Sequence, residues 1–304
     1  MTDLGPDPAR LPEALSEAEA EVLARQHGLE PVGQRPGLVA YVKDLWAHRN
    51  LVWALAKGEF VAQHQYNYLG LLWSVLNPIL LGVAYYLIFG LLVGTRAGIE
   101  NFVAFLTIGL FTFLPLSVAL TAGTRSLLSK MGMMRSLTFP RVMLPITVVL
   151  AEFVATVPAF LILLVIALVS KEQPALSWLL YPPALLVVGG IGMGFAMIGA
   201  RVVHAVRDAA NLMPLLTRML RYVSGIFFSI EYSMETKFND PPTWVAWALE
   251  YQPVAVSLTL VRETLMAEYP VRWETWAVAG GWALLLTGVG FIVFWRGEGS
   301  YGRA

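Results

Sequence analysis

Apolar positions in this chain gather into six long runs, at about 69–93, 102–124, 142–169, 178–203, 212–230 and 276–295. A run of about 20 apolar residues crosses a bilayer as a helix, because lipid offers no partner to a free backbone N–H or C=O. The pattern therefore predicts an all-α integral membrane protein with six transmembrane helices. Pro145 and Pro158 fall in the third run, and Pro182 and Pro183 in the fourth. They predict interruptions, tolerated where neighbouring helices re-satisfy the freed carbonyls, and so place these spans inside a bundle.

Polar positions organise the rest. Before the first run, Val42, Leu45, Trp46, Val52, Trp53, Leu55 and Phe60 recur at helical spacing between charged residues. That stripe predicts an amphipathic helix over 41–66 lying in the membrane interface, its tryptophans at headgroup level. A soluble core helix would carry the same stripe, but no soluble domain follows. Residues 1–40 are acidic and proline-rich without an apolar core, and read as a mobile tail. Ser16 and Glu19 resemble a capping box for a short helix, and no signal-peptide pattern is present. Residues 67–296 form the membrane domain and 297–304 a short tail. The segment 231–275 is too long for a tight connection, and its pieces 243–250 and 253–267 are too short to span. They predict a re-entrant or surface-lying pair, an outer gate.

Composition agrees: 57% of residues are hydrophobic and 14% charged, against about 25% charged in soluble domains. A formal net charge of +0 gives no global pull toward nucleic acid. There is no cysteine, and the four histidines are scattered without metal-binding spacing. Neither a metal nor a catalytic residue is expected. Charge placement orients the chain. With both termini inside, all but Arg96, Lys171, Lys237, Arg262 and Arg272 of the 21 Lys and Arg residues fall on the cytoplasmic side, counting Arg218 and Arg221 with the inner loop. Basic residues concentrate there.

The inner stretch 125–145, RSLLSKMGMMRSLTFPRVMLP, is a basic, methionine-rich knuckle. Met131, Met133 and Met134 with Leu127 and Leu128 offer a flexible apolar surface that can settle into a partner's groove. Arg125, Lys130 and Arg135 rim it. A short amphipathic helix, about 126–138, could equally rest on anionic lipid. The residues alone leave the two readings level.

Phe139-Pro140-Arg141 followed by Leu144-Pro145 resembles the signature of permease subunits of polysaccharide-export ABC transporters. The stretch from Tyr68 to Pro78 looks like their LG-x-LW-x-x-x-NP entry to the first span. Arg207-Asp208 stands in the place of their RD pair, and Pro253 with Arg262 resembles their outer NP…R element. Four landmarks occur in order over residues 40–300. The chain departs from the family in His64–Tyr68, where basic residues are usual, and in Val142, where Glu often follows the signature.

The resemblance implies a permease for a lipid-linked cell-envelope glycan, in the manner of O-antigen, teichoic acid or actinobacterial galactan exporters, with a leaning to the last. It implies a bacterial cytoplasmic membrane, a second copy of this chain, and two separate ATP-binding subunits carrying ATP and Mg. A P-loop sets glycine before lysine so that backbone N–H groups cradle phosphate. None of Lys43, Lys57, Lys130, Lys171 and Lys237 follows glycine, so no nucleotide is expected on this chain. By resemblance the knuckle is the coupling helix, with Lys130, Met131, Met133, Met134, Arg135 and Arg141 meeting the ATPase. Arg49 and Lys57 belong to the cargo entrance, and Arg207 and Asp208 to the loop before the fifth span.

Glu152 lies within the third run, where a carboxylate is costly and is a functional candidate by default; a partnered structural glutamate is the alternative. Tyr85, Tyr86, Phe227, Phe228 and Tyr232 are conduit candidates, because the family's pore is built from the first and fifth spans of two copies. Singly, each could equally be a lipid-facing or interfacial aromatic. Gly189–Gly194 sits in an apolar run and reads as close helix packing, not a nucleotide loop. Three rivals remain in view. A proton-coupled carrier needs coupling carboxylates and repeated halves, of which only Glu152 is present. A lipid-processing enzyme needs clustered acids at headgroup depth. An ABC exporter of a drug or lipid would look much the same.

Overall fold

The computed structural model describes residues 23, 26, 37–64, 72–94, 98–136, 139–237 and 242–301. The rest of the tail 1–36, the landmark residues Tyr68–Leu71 and residues 302–304 lie outside them. The described residues form helices α1 (Leu38–Ala47), α2 (Arg49–His64), α3 (Leu72–Tyr85), α4 (Phe102–Val118), α5 (Ser126–Ser129), α6 (Met131–Ser136), α7 (Met143–Val169), α8 (Tyr181–Ala205), α9 (Ala209–Val223), α10 (Ile230–Lys237), α11 (Thr243–Glu250), α12 (Pro253–Leu265) and α13 (Trp273–Arg296). Helices α3 and α4 continue in wider π turns, Tyr86–Leu92 and Ala119–Gly123.

Five helices among the described residues are long and apolar enough to cross a membrane: Val75–Leu92, Phe102–Gly123, Met143–Val169, Leu176–Ala205 and Trp273–Arg296. Four of them match the hydropathy runs within three residues at either end. The predicted interruptions do not occur. Helix α7 runs through Pro145 and Pro158, Pro145 standing in the first turn where no intrahelical N–H bond is lost. Pro182 and Pro183 occupy the first helical positions of α8, where their fixed φ suits helix initiation.

Helix α4 is the centre of the bundle, buried at nearly every position from Phe102 to Leu116. Asn101 caps it: its Oδ1 accepts from the Ala104 N–H at 3.1 Å, and its Nδ2 donates to Ser170 O and Glu172 Oε1 at the end of α7. Helix α8 packs against α4 on one side and α13 on the other. The contact with α13 depends on the glycines. A Cβ on Gly190 would lie 3.1 Å from Ala283 Cβ, and one on Gly194 would stand 2.5 Å from the Leu286 carbonyl carbon. Thr287 Oγ1 fills the close approach by donating to Gly190 O at 2.8 Å. Because backbone, not a flexible side chain, blocks the space at 194, Gly194→Ala is expected to destabilise the chain by about 1–3 kcal/mol. Thermal unfolding in detergent checks this.

The segment predicted to span at 212–230 is not one helix. Helix α9 has 15 residues, about 22 Å of rise against about 30 Å of hydrocarbon. It stops at Ser224 and Gly225, the latter in the left-handed region at φ 71°. The amphipathic helix over 41–66 is two helices, parted at His48, whose Nδ1 lies 3.1 Å from Asp44 Oδ1. Helix α2 lies along α7, and α12 is inserted into the core, buried from Val254 to Leu265 except at Thr259.

Candidate functional site

One end of the bundle carries Arg125, Lys130, Arg141, Arg201 and Arg296 and is called here the basic end. Arg141, in the landmark tripeptide, is engaged within the chain. Its backbone N–H donates to Glu298 Oε1 at 3.0 Å, and its Nη1 to Glu298 O at 2.8 Å. The Tyr41 hydroxyl donates to Glu298 Oε2 at 2.7 Å and accepts from the Val142 N–H at 3.3 Å. One buried carboxyl thus joins α1, the start of α7 and the C-terminal turn Glu298–Ser300. Tyr301 completes the cluster, its hydroxyl donating to Phe294 O at 3.0 Å with the Arg201 guanidinium over its ring. Proline at 140 fits this corner, because it disfavours helix at residue 139, where the chain bends.

Burial pushes the Glu298 carboxyl above its ordinary range, against the Arg141 N–H, the Tyr41 hydroxyl and the Arg141 charge, which pull it down. Between the ordinary carboxylate value and the raised one, the folded chain holds a proton that the unfolded chain releases. The site's contribution to stability therefore falls as pH rises through that window. Glu298→Gln is expected to flatten this part of the stability profile, checked by melting temperatures from about pH 4 to about pH 8.

The knuckle is the helical pair α5–α6. Leu127 and Met134 are buried, and with partly buried Met131 and Met133 they pack on Tyr41, Leu144, Met197 and Phe294 of the same chain. Leu128 packs beside Val203, Ala209 and Ala210. Of the methionines expected to be presented outward, Met134 thus turns inward, while Met131 and Met133 are partly buried. Gly132 is exposed, and a Cβ there would meet nothing within 4 Å. Lys130 Nζ lies 2.5 Å from Glu59 Oε2, tying the knuckle to α2. Arg135 stands on α6. Arg49 is held by Trp46, donating to its carbonyl at 3.1 Å and lying 5.6 Å from its ring centroid. An apolar groove of about 580 Å³ runs from α1–α2 to Ile146 and Leu150, with Lys43 and Arg49 on its rim. Lys57, Arg207 and Asp208 are exposed.

The aromatic candidates separate. Phe227, in the turn after α9, is buried and stacked on Phe89 at 4.5 Å, with Tyr85 at 4.7 Å and Tyr222 at 5.5 Å. Phe228 is partly buried against the same core. These rings join the first span to the segment after α9. Tyr86 stands beside Phe102 and lines a cavity of about 590 Å³ with Glu100, Asn101, Glu172 and Glu268. Tyr232 covers Gly98 and lines a neighbouring cavity of about 410 Å³ with Glu231, Glu268, Tyr269 and Arg272. Glu152 is partly buried on α7 and accepts from Thr156 Oγ1 at 3.3 Å.

The opposite end carries Glu100, Glu172, Glu231, Glu263 and Glu268 around its cavities and is the acidic end; there Arg262 of α12 is 4% exposed. Its guanidinium lies 3.4 Å from the Phe105 ring centroid, and its Nη2 donates to Gly225 O at 2.9 Å. A cation at the C-terminal end of a helix stabilises its free carbonyls; here it holds the left-handed turn that ends α9. The next residue, Glu263, is 1% exposed and accepts from Arg272 Nε at 3.0 Å, Arg272 N at 3.1 Å and Thr275 Oγ1 at 2.7 Å. That network anchors α12 to α13. Sequence reading missed Glu263, Glu298 and Tyr41. The available signal for Glu298 was a lone acid between Gly297 and Gly299 just after the last span. No group of three or more His, Cys, Asp or Glu residues able to hold a metal occurs among the described residues.

Long apolar helices, a broken segment clamped by a buried arginine and a tied basic knuckle describe a helical membrane protein. The profile of the ABC-2 type transporter family matches residues 50–266, and this chain belongs to that family, whose members are permease subunits of ABC transporters. Curated relatives are O-antigen export system permease proteins RfbA. Two from Klebsiella pneumoniae are each 26% identical over 250 residues, covering 81% of this chain and 91% of the relative. One from Myxococcus xanthus is 24% identical over 196 residues, covering 64% and 74%.

Proposed function

We propose that this chain is the permease of an ATP-driven exporter of a lipid-linked cell-envelope polysaccharide, O-antigen-like or galactan. It acts as a homodimer driven by two separate ATP-hydrolysing subunits. The observation that carries this reading is the family match over 50–266 together with relatives, matched over most of their length, that are O-antigen export permeases. The absence of a glycine-lysine step agrees with ATP being bound elsewhere.

The basic end faces the cytoplasm. The sixth crossing is composite: α9, the turn at 224–229 and α10. Non-helical backbone at membrane depth survives where protein covers it, and Ile226 and Phe227 are buried. The second copy covers the exposed apolar faces of α3 with its π continuation (Leu80, Val83, Leu87) and of α9 (Leu212, Leu215, Leu216), enclosing a conduit between them. Glycan leaves past α11–α12 at the acidic end, beside Tyr86 and Tyr232. Diphosphate-bearing lipid approaches along α1–α2, where Arg49 and Lys57 meet phosphate.

ATP-driven closure of the partner subunits shifts this chain only through contacts that differ between states. The exposed edge of α5–α6 receives that push. The Lys130–Glu59 bond passes it to α2 and α7, and the Arg141–Glu298–Tyr41 cluster passes it to α1 and the C-terminal turn. Inverted membrane vesicles containing this chain, its ATPase and labelled lipid-linked glycan test the reading. ATP-dependent protection of the glycan inside the vesicles is expected; movement that ignores ATP and follows a proton gradient would overturn it.

A further inference from the structure

Helix α9 brings two arginines into the membrane. Its residues fall into three lengthwise sectors. Ala210, Met213, Thr217 and Leu220 turn toward the chain's own helices and are buried or partly buried. Leu212, Leu215, Leu216, Met219 and Val223 form an exposed apolar strip. Asn211, Arg218, Arg221 and Tyr222, spaced by seven, three and one, form a third strip that is polar except at Pro214.

Two contacts fix its depth. At the start of α9, Arg125 Nη2 donates to Ala210 O at 2.7 Å, at the basic end. Near its other end the Arg221 guanidinium lies 5.3 Å from the ring centroid of Phe113, the midpoint of the span Phe102–Gly123. Arg221 therefore sits near mid-membrane, with Arg218 about one turn nearer the basic end. Counting both with the inner loop, as charge placement alone suggested, puts them too shallow; the basic end keeps its excess without them.

Charge at this depth is expensive in hydrocarbon and belongs against protein or water. Among the described residues no carboxylate answers it. Neither arginine forms an ion pair with a described residue, and Arg221 Nε is buried without an acceptor. The first and second spans, 72–94 and 102–123, contain no Asp or Glu. The polar strip of α9 thus adds positive charge without an ion-pair partner among the described residues, beside two spans that contain no acidic residue.

We propose that Arg218 and Arg221 form an anion-binding station inside the conduit, taking the phosphate or carboxylate groups of the cargo. This rests on the exporter reading above and deepens it: beyond the entrance at Arg49 and Lys57, the anionic part of the cargo is held a second time, at mid-conduit, by these two residues. Guanidinium forks bind phosphate and carboxylate in bidentate fashion, with charge-assisted bonds about twice as strong as neutral ones. The anion comes either from the diphosphate joining glycan to lipid or from acidic groups along the glycan.

The test measures probe binding to the full complex in nanodiscs by intrinsic tryptophan fluorescence. The probes are a polyprenyl diphosphate, the same polyprenol without diphosphate, an oligogalacturonate and a neutral dextrin. The expected result is that at least one anionic probe binds more tightly than its neutral counterpart, and that Arg218→Gln/Arg221→Gln weakens it by about tenfold or more. Neutral probes should be unaffected, and Arg218→Lys/Arg221→Lys should recover part of the loss. A response to the diphosphate alone assigns the lipid linker as the source; a response to oligogalacturonate assigns the glycan. Equal binding of charged and neutral probes would overturn the proposal. So would a double Gln variant that binds as the wild type does, including one that only melts lower, which would make the arginines structural. ATP hydrolysis by the same preparation is read separately: its absence counts against the exporter reading, while the binding comparison still decides the role of the arginines.

Discussion

Arg262→Ala is expected to be among the most damaging single substitutions in the chain, lowering stability by about 2–4 kcal/mol through an unsatisfied carbonyl and a cavity. The guanidinium occupies a buried site between the Phe105 ring and the carbonyl that closes α9. Alanine would leave Gly225 O without its donor, open a cavity against Phe105 and leave the turn held from α12 mainly by the longer bond from Gln252 Nε2 to Val223 O at 3.4 Å. Gly109 is part of the same fit, since a Cβ there would lie 2.9 Å from Arg262 Nη2. Lysine keeps the charge but not the planar stack or the fork, so Arg262→Lys should fall between alanine and wild type. Melting temperatures of the two variants in detergent check the order. Transport should fail in Arg262→Lys even where folding is retained, because the turn it holds links the first span, through Phe227, to the acidic end.

A second large effect is expected at the knuckle. Gly132→Glu places a carboxylate on an exposed surface with no neighbour within 4 Å of its Cβ. The chain's own fold should tolerate it within about 1 kcal/mol, while ATPase recovered in pull-downs through this chain should drop about tenfold or more, since an uncompensated charge in a docked surface is costly. Met134→Asp should do the reverse. That side chain is 7% exposed among Tyr41, Leu127 and Val142, so the variant should lose folded protein before it loses affinity. Quantifying both proteins in pull-downs separates the two outcomes.

The spans were legible because hydropathy over 20 residues is a bulk property: 102–124, 142–169, 178–203 and 276–295 return as helices with ends shifted by at most three residues. The run at 212–230 misled for a local reason. Ser224 and Gly225 are only two residues among Leu220, Val223, Ile226, Phe227 and Phe228, so a long window passes over a break that ends the helix, and two arginines inside the run were assigned to a loop. The prolines misled in the opposite direction, since Pro145, Pro182 and Pro183 stand in first turns where they cost little. The glycine run 189–194 read correctly as close packing, because small residues in an apolar helix have few other uses. The site was less legible. Periodicity says that Met133 and Met134 lie on a short helix, but not whether a partner or the chain's own α7, α8 and α13 will cover them. Glu298 gains meaning only when Tyr41 and Arg141, 257 and 157 residues away, arrive beside it.

The most direct test of the account is the native mass and ATP hydrolysis of the assembly purified through this chain after co-expression with its genomic neighbours. Two copies of the chain with two ATP-hydrolysing subunits, active in lipid and separated by Gly132→Glu, are the expected result. A chain that purifies without any ATP-hydrolysing partner, yet moves cargo, would contradict it.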